Sequence, residues 1–387
     1  MIYIHIPFCR RKCSYCGFYS SAGRHDTEGY IAALCHEMAD RKDFFGDTFH
    51  PVTTLYIGGG TPSLLPIDAL SRIFDGLERH FDLSQIQEVT LECNPDDLTD
   101  EYLESLARLR LINRISIGVQ SFDDKLLHLL NRRHNGATAR TAIARCMTHG
   151  FNNISIDLIY NLPTQDRARW AWELASLAQL NAVLPHPVAH LSCYALTVEP
   201  GTLLERQIAA RRTESPDEET AVEQYEMLQQ WTQQSGYQQY EVSNYCREGA
   251  QALHNSRYWR RVPYLGLGAA AHSFDGLHRR WNIADTEAYI KKVTDSTDNR
   301  PYTGYYEEET LTQADAYNEY LMTALRTTEG IDKQCIDAPF AEPLETAMRQ
   351  LESQGLITVT DTHYRPTAAG LLQADGIACR LFASKQT

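Results

Sequence analysis

Residues 2–18 read Ile2-Tyr-Ile-His-Ile-Pro-Phe-Cys9-Arg-Arg-Lys-Cys13-Ser-Tyr-Cys16-Gly-Phe18. The run Ile2–Ile6 is β-branched and apolar, as a buried strand is. Directly after it, Cys9, Cys13 and Cys16 form C-x3-C-x2-C. This spacing lets three thiolates converge from one loop onto one metal centre. A closed structural zinc site takes four protein ligands. No fourth cysteine follows, since position 18 is Phe, and Cys35 falls in a predicted helix. His5 could serve as a fourth ligand, but it belongs to the first strand. Three cysteines and a gap suit a [4Fe–4S] cluster with one open iron.

Working outward, the first half of the chain repeats one pattern. A short apolar run is followed by a polar or Gly-rich loop, then by an amphipathic helix. The runs are Ile2–Ile6, Thr54–Ile57, Glu88–Leu91, Arg114–Val119, Ile154–Ile159 and Val188–Tyr194. Helices are predicted over Ile67–Phe81, from Thr99 through Leu109, and over Ala137–His149, the last closed by Gly150. Six βα units imply a parallel sheet covered by helices. Periodicity leaves a doubly wound sheet and a barrel both open. Distinctive polar residues after several strands favour an α/β fold of the partial (β/α)6 TIM-type barrel kind, with its site at the C-terminal strand ends.

Arg206–Ser235 reads as a long charged helix broken near Ser215-Pro216, and Tyr237–Tyr245 as a further strand. Helices are predicted over Thr312–Arg326, Pro343–Ser353 and Thr367–Phe382, with a hairpin at Leu356–Arg365. This texture predicts a mostly α, winged-helix-like C-terminal domain. The expected division is a core barrel over 1–240, a connecting region over 241–305 and the C-terminal domain over 306–387.

The 387 residues are 43% hydrophobic and 22% charged, a globular composition that excludes a disordered or collagen-like chain. The net charge of −14 argues against nucleic acid or an anionic membrane as the main partner. No apolar stretch is long enough to span a bilayer. The N-terminus lacks the pattern of a signal peptide, so a cytoplasmic location is expected. The remaining cysteines then stay reduced and read as single buried small hydrophobes.

Gly58-Gly-Gly-Thr-Pro62 ends the second strand, and glycines there let a backbone approach a ligand closely. Joined to the cysteine loop in a βα barrel, this is the pattern of the radical S-adenosylmethionine (SAM) superfamily. Tyr3–Cys9, Lys12–Cys16, Gly58–Pro62, Gly118-Val-Gln-Ser-Phe122, Leu130-Asn-Arg132 and Ile156-Asp-Leu-Ile-Tyr-Asn-Leu-Pro163 together resemble the oxygen-independent coproporphyrinogen III oxidase family. They cover about the first 200 residues.

The resemblance implies that Cys9, Cys13 and Cys16 hold the cluster. The amino and carboxylate groups of SAM would chelate the open iron, with Tyr3 near the cluster. Gly59, Gly60 and Thr61 would line the methionine part, and Glu92, Gln120, Arg132 and Asp157 match the other cofactor contacts. Their chemistry agrees: Arg132 offers a donor fork to a carboxylate, and the acids accept from hydroxyls or an ammonium. Taken singly, each also reads as a surface charge, a strand-end cap or a satisfied loop amide.

His254-Asn-Ser-Arg-Tyr-Trp259 alone would be a helix with core aromatics. It also resembles the H-N-x-x-Y-W run of the HemW branch, whose members are read as haem chaperones. There His254 could ligate haem iron, with Tyr258 and Trp259 flanking the macrocycle. Gly266-Leu-Gly-Ala-Ala-Ala271 mimics a dinucleotide motif but lacks its βαβ frame and its acidic partner.

Two departures from the oxidases favour the chaperone branch: Phe18 replaces their last cysteine, and only eight residues precede Cys9. The expected function is therefore delivery of haem to an apoprotein acceptor such as a respiratory haem protein. An electron donor such as flavodoxin or ferredoxin is a further expected partner. Membrane contact would arise only through the acceptor, and the chain would be a monomer or homodimer. The alternative is a coproporphyrinogen III dehydrogenase, in which a 5′-deoxyadenosyl radical abstracts hydrogen from propionate side chains. Whether the chain is an enzyme stays open at this point.

Overall fold

The computed structural model describes residues 1–23, 25–46, 51–295 and 304–383. Six parallel strands form its centre: β1 (Ile2–Ile6), β2 (Thr54–Gly59), β3 (Glu88–Cys93), β4 (Arg114–Gln120), β5 (Ile154–Tyr160) and β6 (His190–Ala195). They lie side by side in chain order. A doubly wound sheet reverses its strand order at a switch point. Here there is no reversal within the six. Crossovers of one hand then place the helices on one face, and the sheet curls around the other.

The helices that cover it include Thr27–Asp40, Ile67–His80, Asp100–Leu109, Gly136–Thr148 and Arg167–Val183. Most begin on a side-chain cap; Thr99 accepts from the backbone of Tyr102 and Asn135 from that of Thr138. In Ile67–His80 the stripe Leu70, Ile73 and Leu77 is fully buried. The helix ends at His80, one residue before the expected end, and Phe81 caps it in an extended conformation. Gly150 closes Gly136–Thr148 with a positive φ of 89°.

Later segments complete the sheet. Leu265–Leu267 pairs parallel with β1, a strand the sequence pattern did not reveal. Asn244–Cys246 pairs antiparallel with β6, and Gln238–Gln239 pairs with it in turn. The expected strand Tyr237–Tyr245 is thus two short strands joined by a turn. Among the described residues the sheet has nine strands and ends in different edges, so the barrel is partial.

The helix expected over Arg206–Ser235, broken near Ser215-Pro216, is two helices, Leu203–Ala209 and Glu218–Gln234. Pro216 lies between them, where its ring cannot continue a helix. A small antiparallel sheet of His272–Phe274, His278–Asn282 and Tyr306–Thr310 follows.

The C-terminal part has its own apolar cluster, including Leu321, Ile331, Met348 and Ile377. Gln313–Ala324 and Ala338–Ser353 pack with the three-stranded sheet of Ile331–Asp332, His363–Pro366 and Ile357–Val359. Ala338–Ser353 starts before Pro343, which it accommodates within its first turns. The predicted last helix is two, Ala368–Leu372 and Ala374–Leu381. The Val242 amide donates to Arg326 at 2.8 Å, joining this part to the barrel. No helix among the described residues is long and apolar enough to cross a membrane.

A Cβ on Gly266 would overlap the His272 backbone carbonyl. Gly266→Ala is expected to destabilise the protein by about 1–3 kcal/mol through overpacking, read as a lower urea midpoint.

Candidate functional site

Side chains alternate across a strand. On the outer face β1 presents Ile2, Ile4 and Ile6, all fully buried against helices. On the inner face it presents Tyr3 and His5. The other strands do the same. Glu88, Thr90 and Glu92 alternate with Val89 and Leu91. Arg114, Ser116 and Gly118 alternate with Ile115 and Ile117. β5 turns Asp157 inward and β6 turns His190, Ser192 and Tyr194 inward. The curled sheet therefore encloses a polar chamber. Tyr194 keeps 44% of its surface open, and Tyr3, Tyr56, Glu92 and Asp157 stay half-buried. These side chains line a space rather than fill a core.

The cysteine loop sits at the C-terminal ends of the strands. Phe8–Cys9 pairs with Ser21–Ala22, which closes the loop into a clip. The segment 129–132 fastens it from below. Ser14 donates from its amide to Leu130 O at 3.1 Å and from its hydroxyl to Leu129 O at 2.9 Å. Asn131, held at a φ of 58°, donates its amide to Lys12 O at 2.8 Å. Arg132 then reaches into the site. It donates to Cys13 Sγ at 3.3 Å, and its other nitrogen donates to Asn94 Oδ1 and Gly118 O, each at 2.6 Å. Its Nε is buried without a partner. Cys9 Sγ lies 3.5 Å from the Thr61 hydroxyl. Burial raises the Cys16 thiol, and the neighbouring Cys13 and Cys9 add to this.

His5 does not complete a four-ligand site. Its Nδ1 meets the Tyr3 hydroxyl at 2.9 Å and its Nε2 meets Tyr19 O at 2.9 Å. Among the described residues, no three His, Cys, Asp or Glu side chains converge on one ion-sized point.

The glycine run forms one wall. Gly59 has a φ of 113°, and its amide donates to Glu92 at 2.9 Å. A Cβ on Gly60 would come within 2.8 Å of Phe8 O, so only glycine lets the two loops approach. The other Glu92 oxygen accepts from the Tyr56 hydroxyl at 2.6 Å. Burial raises both Glu92 and Asp157. For Asp157 the shift carries the carboxyl from its ordinary 3.8 to about 7; desolvation is the main cause and the Glu92 charge the next. Gln120 ends β4 at a φ of 67°. Its amide lies beside Arg132, since a Cβ on Gly118 would meet both, at 2.9 and 3.2 Å.

Gly59, Gly60, Thr61, Gln120 and Arg132 thus share one end of the chamber with the three cysteines, with Glu92 tied to Gly59; Asp157 stands on the inner face of β5, and Tyr3 lies further down, level with Tyr56 and stacked on it. The donor set fits a cluster and a charged amino-acid cofactor. It offers three thiols on one loop, a glycine wall without Cβ atoms and a buried guanidinium nitrogen with no partner. Tyr56, Arg114 and Tyr194 line the chamber as well and were missed from the sequence. The signal for them was the period-2 alternation within each strand.

His254 lies elsewhere. It sits on the helix Leu253–Trp259, which closes the opposite end of the chamber. Glu88, at the start of β3, accepts from the Leu253 and His254 amides at 2.8 and 2.9 Å. His254 is 1% exposed. Its Nδ1 meets the Thr54 hydroxyl at 2.9 Å and its Nε2 the Tyr258 hydroxyl at 3.1 Å. Burial pushes its pKa down to about 3. In this arrangement neither ring nitrogen is free for haem iron. The sequence did not reveal this because the motif carries no information on which strand end its helix covers.

Comparison with known proteins places the whole chain. The Radical SAM superfamily model matches residues 3–173 and the HemN C-terminal domain model residues 311–372. The chain is 32% identical to "Heme chaperone HemW" of Bacillus subtilis, over 96% of each chain. It is 36% identical to that of Escherichia coli, over 70% of this chain and 69% of the other. The chain belongs to the HemW family. A structure described as coproporphyrinogen III oxidase (HemN) from Escherichia coli, a radical SAM enzyme, superposes with a TM-score of 0.81. It is 25% identical and covers 99% of this chain and 89% of that one. In this HemW-family chain Phe18, just past Cys16, is 73% exposed beside the cysteine loop.

Two measurements check the site. An acid whose pKa is raised on folding holds its proton more tightly in the native state, so it favours folding at low pH. Relative to Asp157→Asn, the wild-type apoprotein is expected to lose stability as pH rises from about 4 to about 7 and to level off above. Urea unfolding at several pH values follows this. His254→Ala is expected to cost about 1–3 kcal/mol, because the Thr54 and Tyr258 hydroxyls lose a buried partner. The same unfolding curves report it.

Proposed function

We propose that the chain is a haem chaperone of the cytoplasm. It holds a [4Fe–4S] cluster through Cys9, Cys13 and Cys16, binds SAM at the adjoining chamber wall, and passes bound haem to apoproteins such as respiratory haem proteins. The observation that carries this reading is the near full-length similarity to curated HemW proteins. Phe18 supports it, since the loop then carries three thiols and an exposed aromatic ring.

The residues present have clear parts in such a site. Arg132 bridges the Cys13 thiol to β3 and β4, so it fixes where the loop stands over the chamber. The remaining Arg132 donor suits a carboxylate. Glu92 is already oriented by Tyr56 and Gly59, which leaves its remaining lone pairs for an ammonium or hydroxyls. Cys9, Cys13 and Cys16 would hold the cluster, which would supply one-electron chemistry to SAM; the chain's part is to position both and exclude water.

A second reading is coproporphyrinogen III dehydrogenase, and the extent of the HemN superposition favours it. A paired assay on anaerobically reconstituted protein separates the two. Haem is titrated by its Soret band, and coproporphyrinogen turnover is followed in the same preparation. Tight haem binding without turnover is expected. Turnover without haem binding would overturn the chaperone reading.

A further inference from the structure

Arg114 is a buried cation that no anion meets at contact distance. It opens β4 on the inner face, in register with Thr90 of β3. It is 3% exposed, and its Nε is buried without a partner. Among the described residues its guanidinium forms no ion pair and no side-chain hydrogen bond. The Thr90 hydroxyl beside it is also buried and unpartnered. Glu92, oriented by Tyr56 and Gly59, forms no ion pair with it among the described residues.

The charge of Arg114 acts on Tyr56, Glu92, Asp157, His190, Tyr240 and His254. These groups come from β2, β3, β5 and β6, from Tyr240 and from the helix Leu253–Trp259, so the guanidinium lies on the chamber side of the sheet. The inward positions above it on β4 are Ser116 and Gly118, both small, so the strand leaves room between Arg114 and the cysteine end.

Arginine stays charged at any pH a protein meets, so it cannot relieve its burial by losing a proton. It needs an anion. Its planar fork of donors matches the two oxygens of a carboxylate. We propose that Arg114, with the Thr90 hydroxyl, forms a carboxylate-binding subsite deep in the barrel chamber, beyond the Glu92–Arg132 end. The ligand group is a carboxylate, supplied either by a propionate side chain of a tetrapyrrole or by a free small dicarboxylic acid. The first source rests on the haem reading above; the second does not.

The test uses full-length, anaerobically reconstituted protein: wild type, Arg114→Gln and Arg114→Lys. Haem and haem dimethyl ester, whose propionates are blocked, are titrated by the Soret band. Succinate is tested by its shift of the unfolding temperature. If the propionate is the ligand group, the wild type binds haem about tenfold or more tightly than the ester, and Arg114→Gln removes that preference while ester affinity holds. If a free acid is the ligand, succinate stabilises the wild type and not Arg114→Gln, and haem and ester bind equally. Arg114→Lys keeps the charge and loses the fork, so a reduced preference is expected even if the Gln variant loads its cluster poorly. Equal responses of all three proteins to haem, ester and succinate, at equal iron content, overturn the subsite. Failure of the wild type to bind haem removes the haem reading, and the succinate arm then decides Arg114.

Discussion

A parallel sheet covered on both faces usually runs apolar along its whole length. This one does not. Every second residue of its six central strands is polar or glycine, except Ile159 of β5, and those residues face one another across the curl. Nearly all the apolar burial of the strands comes from the outer face; Ile159 instead packs with Leu126, Leu130 and Leu162. The inner face must then satisfy its own polar groups or lose stability for each one left dry. Most are satisfied by one another: Tyr3 with His5 along β1, Tyr56 with Glu92 and the Ser155 hydroxyl with His190 at 2.7 Å across strands, and His190 with Tyr240 at 2.8 Å. The exceptions include Arg132 Nε at one end, and Arg114 Nε and Thr90 Oγ1 at the other. Unpartnered donors inside an open chamber are places where a ligand completes the hydrogen bonding.

The two ends of the chamber are built differently. At the C-terminal end the closure is a loop with few contacts of its own. Arg132, Asn131 and the Ser14 bonds tie it to the 129–132 segment. At the N-terminal end the closure is a helix seated on Glu88 and plugged by His254. The first arrangement presents donor atoms to a ligand. The second consumes them. That asymmetry explains why the motif around His254 contributes packing in this structure while the cysteine loop leaves its thiols facing the chamber.

Much of this was legible in the sequence. The six strands were found because each is bounded by turn residues and followed by a helix with a clear apolar stripe, as in Leu70, Ile73 and Leu77. The cluster loop was legible because ligand spacing within one loop is a local property. What failed was non-local. Leu265–Leu267 is three residues long and is a strand only because β1 offers an edge. Pro216 signalled a break, but not that the chain would leave the helix for a full loop. Arg114 looked like the polar first residue of a strand, and only the curl of the sheet turns it toward the chamber. His254 carried a motif, yet the bonds that occupy both its nitrogens come from Thr54, 200 residues away in sequence, and from Tyr258.

The central claim is that three cysteines leave one iron open toward a polar chamber that accepts SAM. Electron paramagnetic resonance of the reduced cluster, recorded anaerobically before and after saturation with SAM, tests it most directly. The account predicts a changed spectrum on addition, as the cofactor's amino and carboxylate groups take the open iron. An intact cluster whose spectrum does not respond to SAM would contradict it.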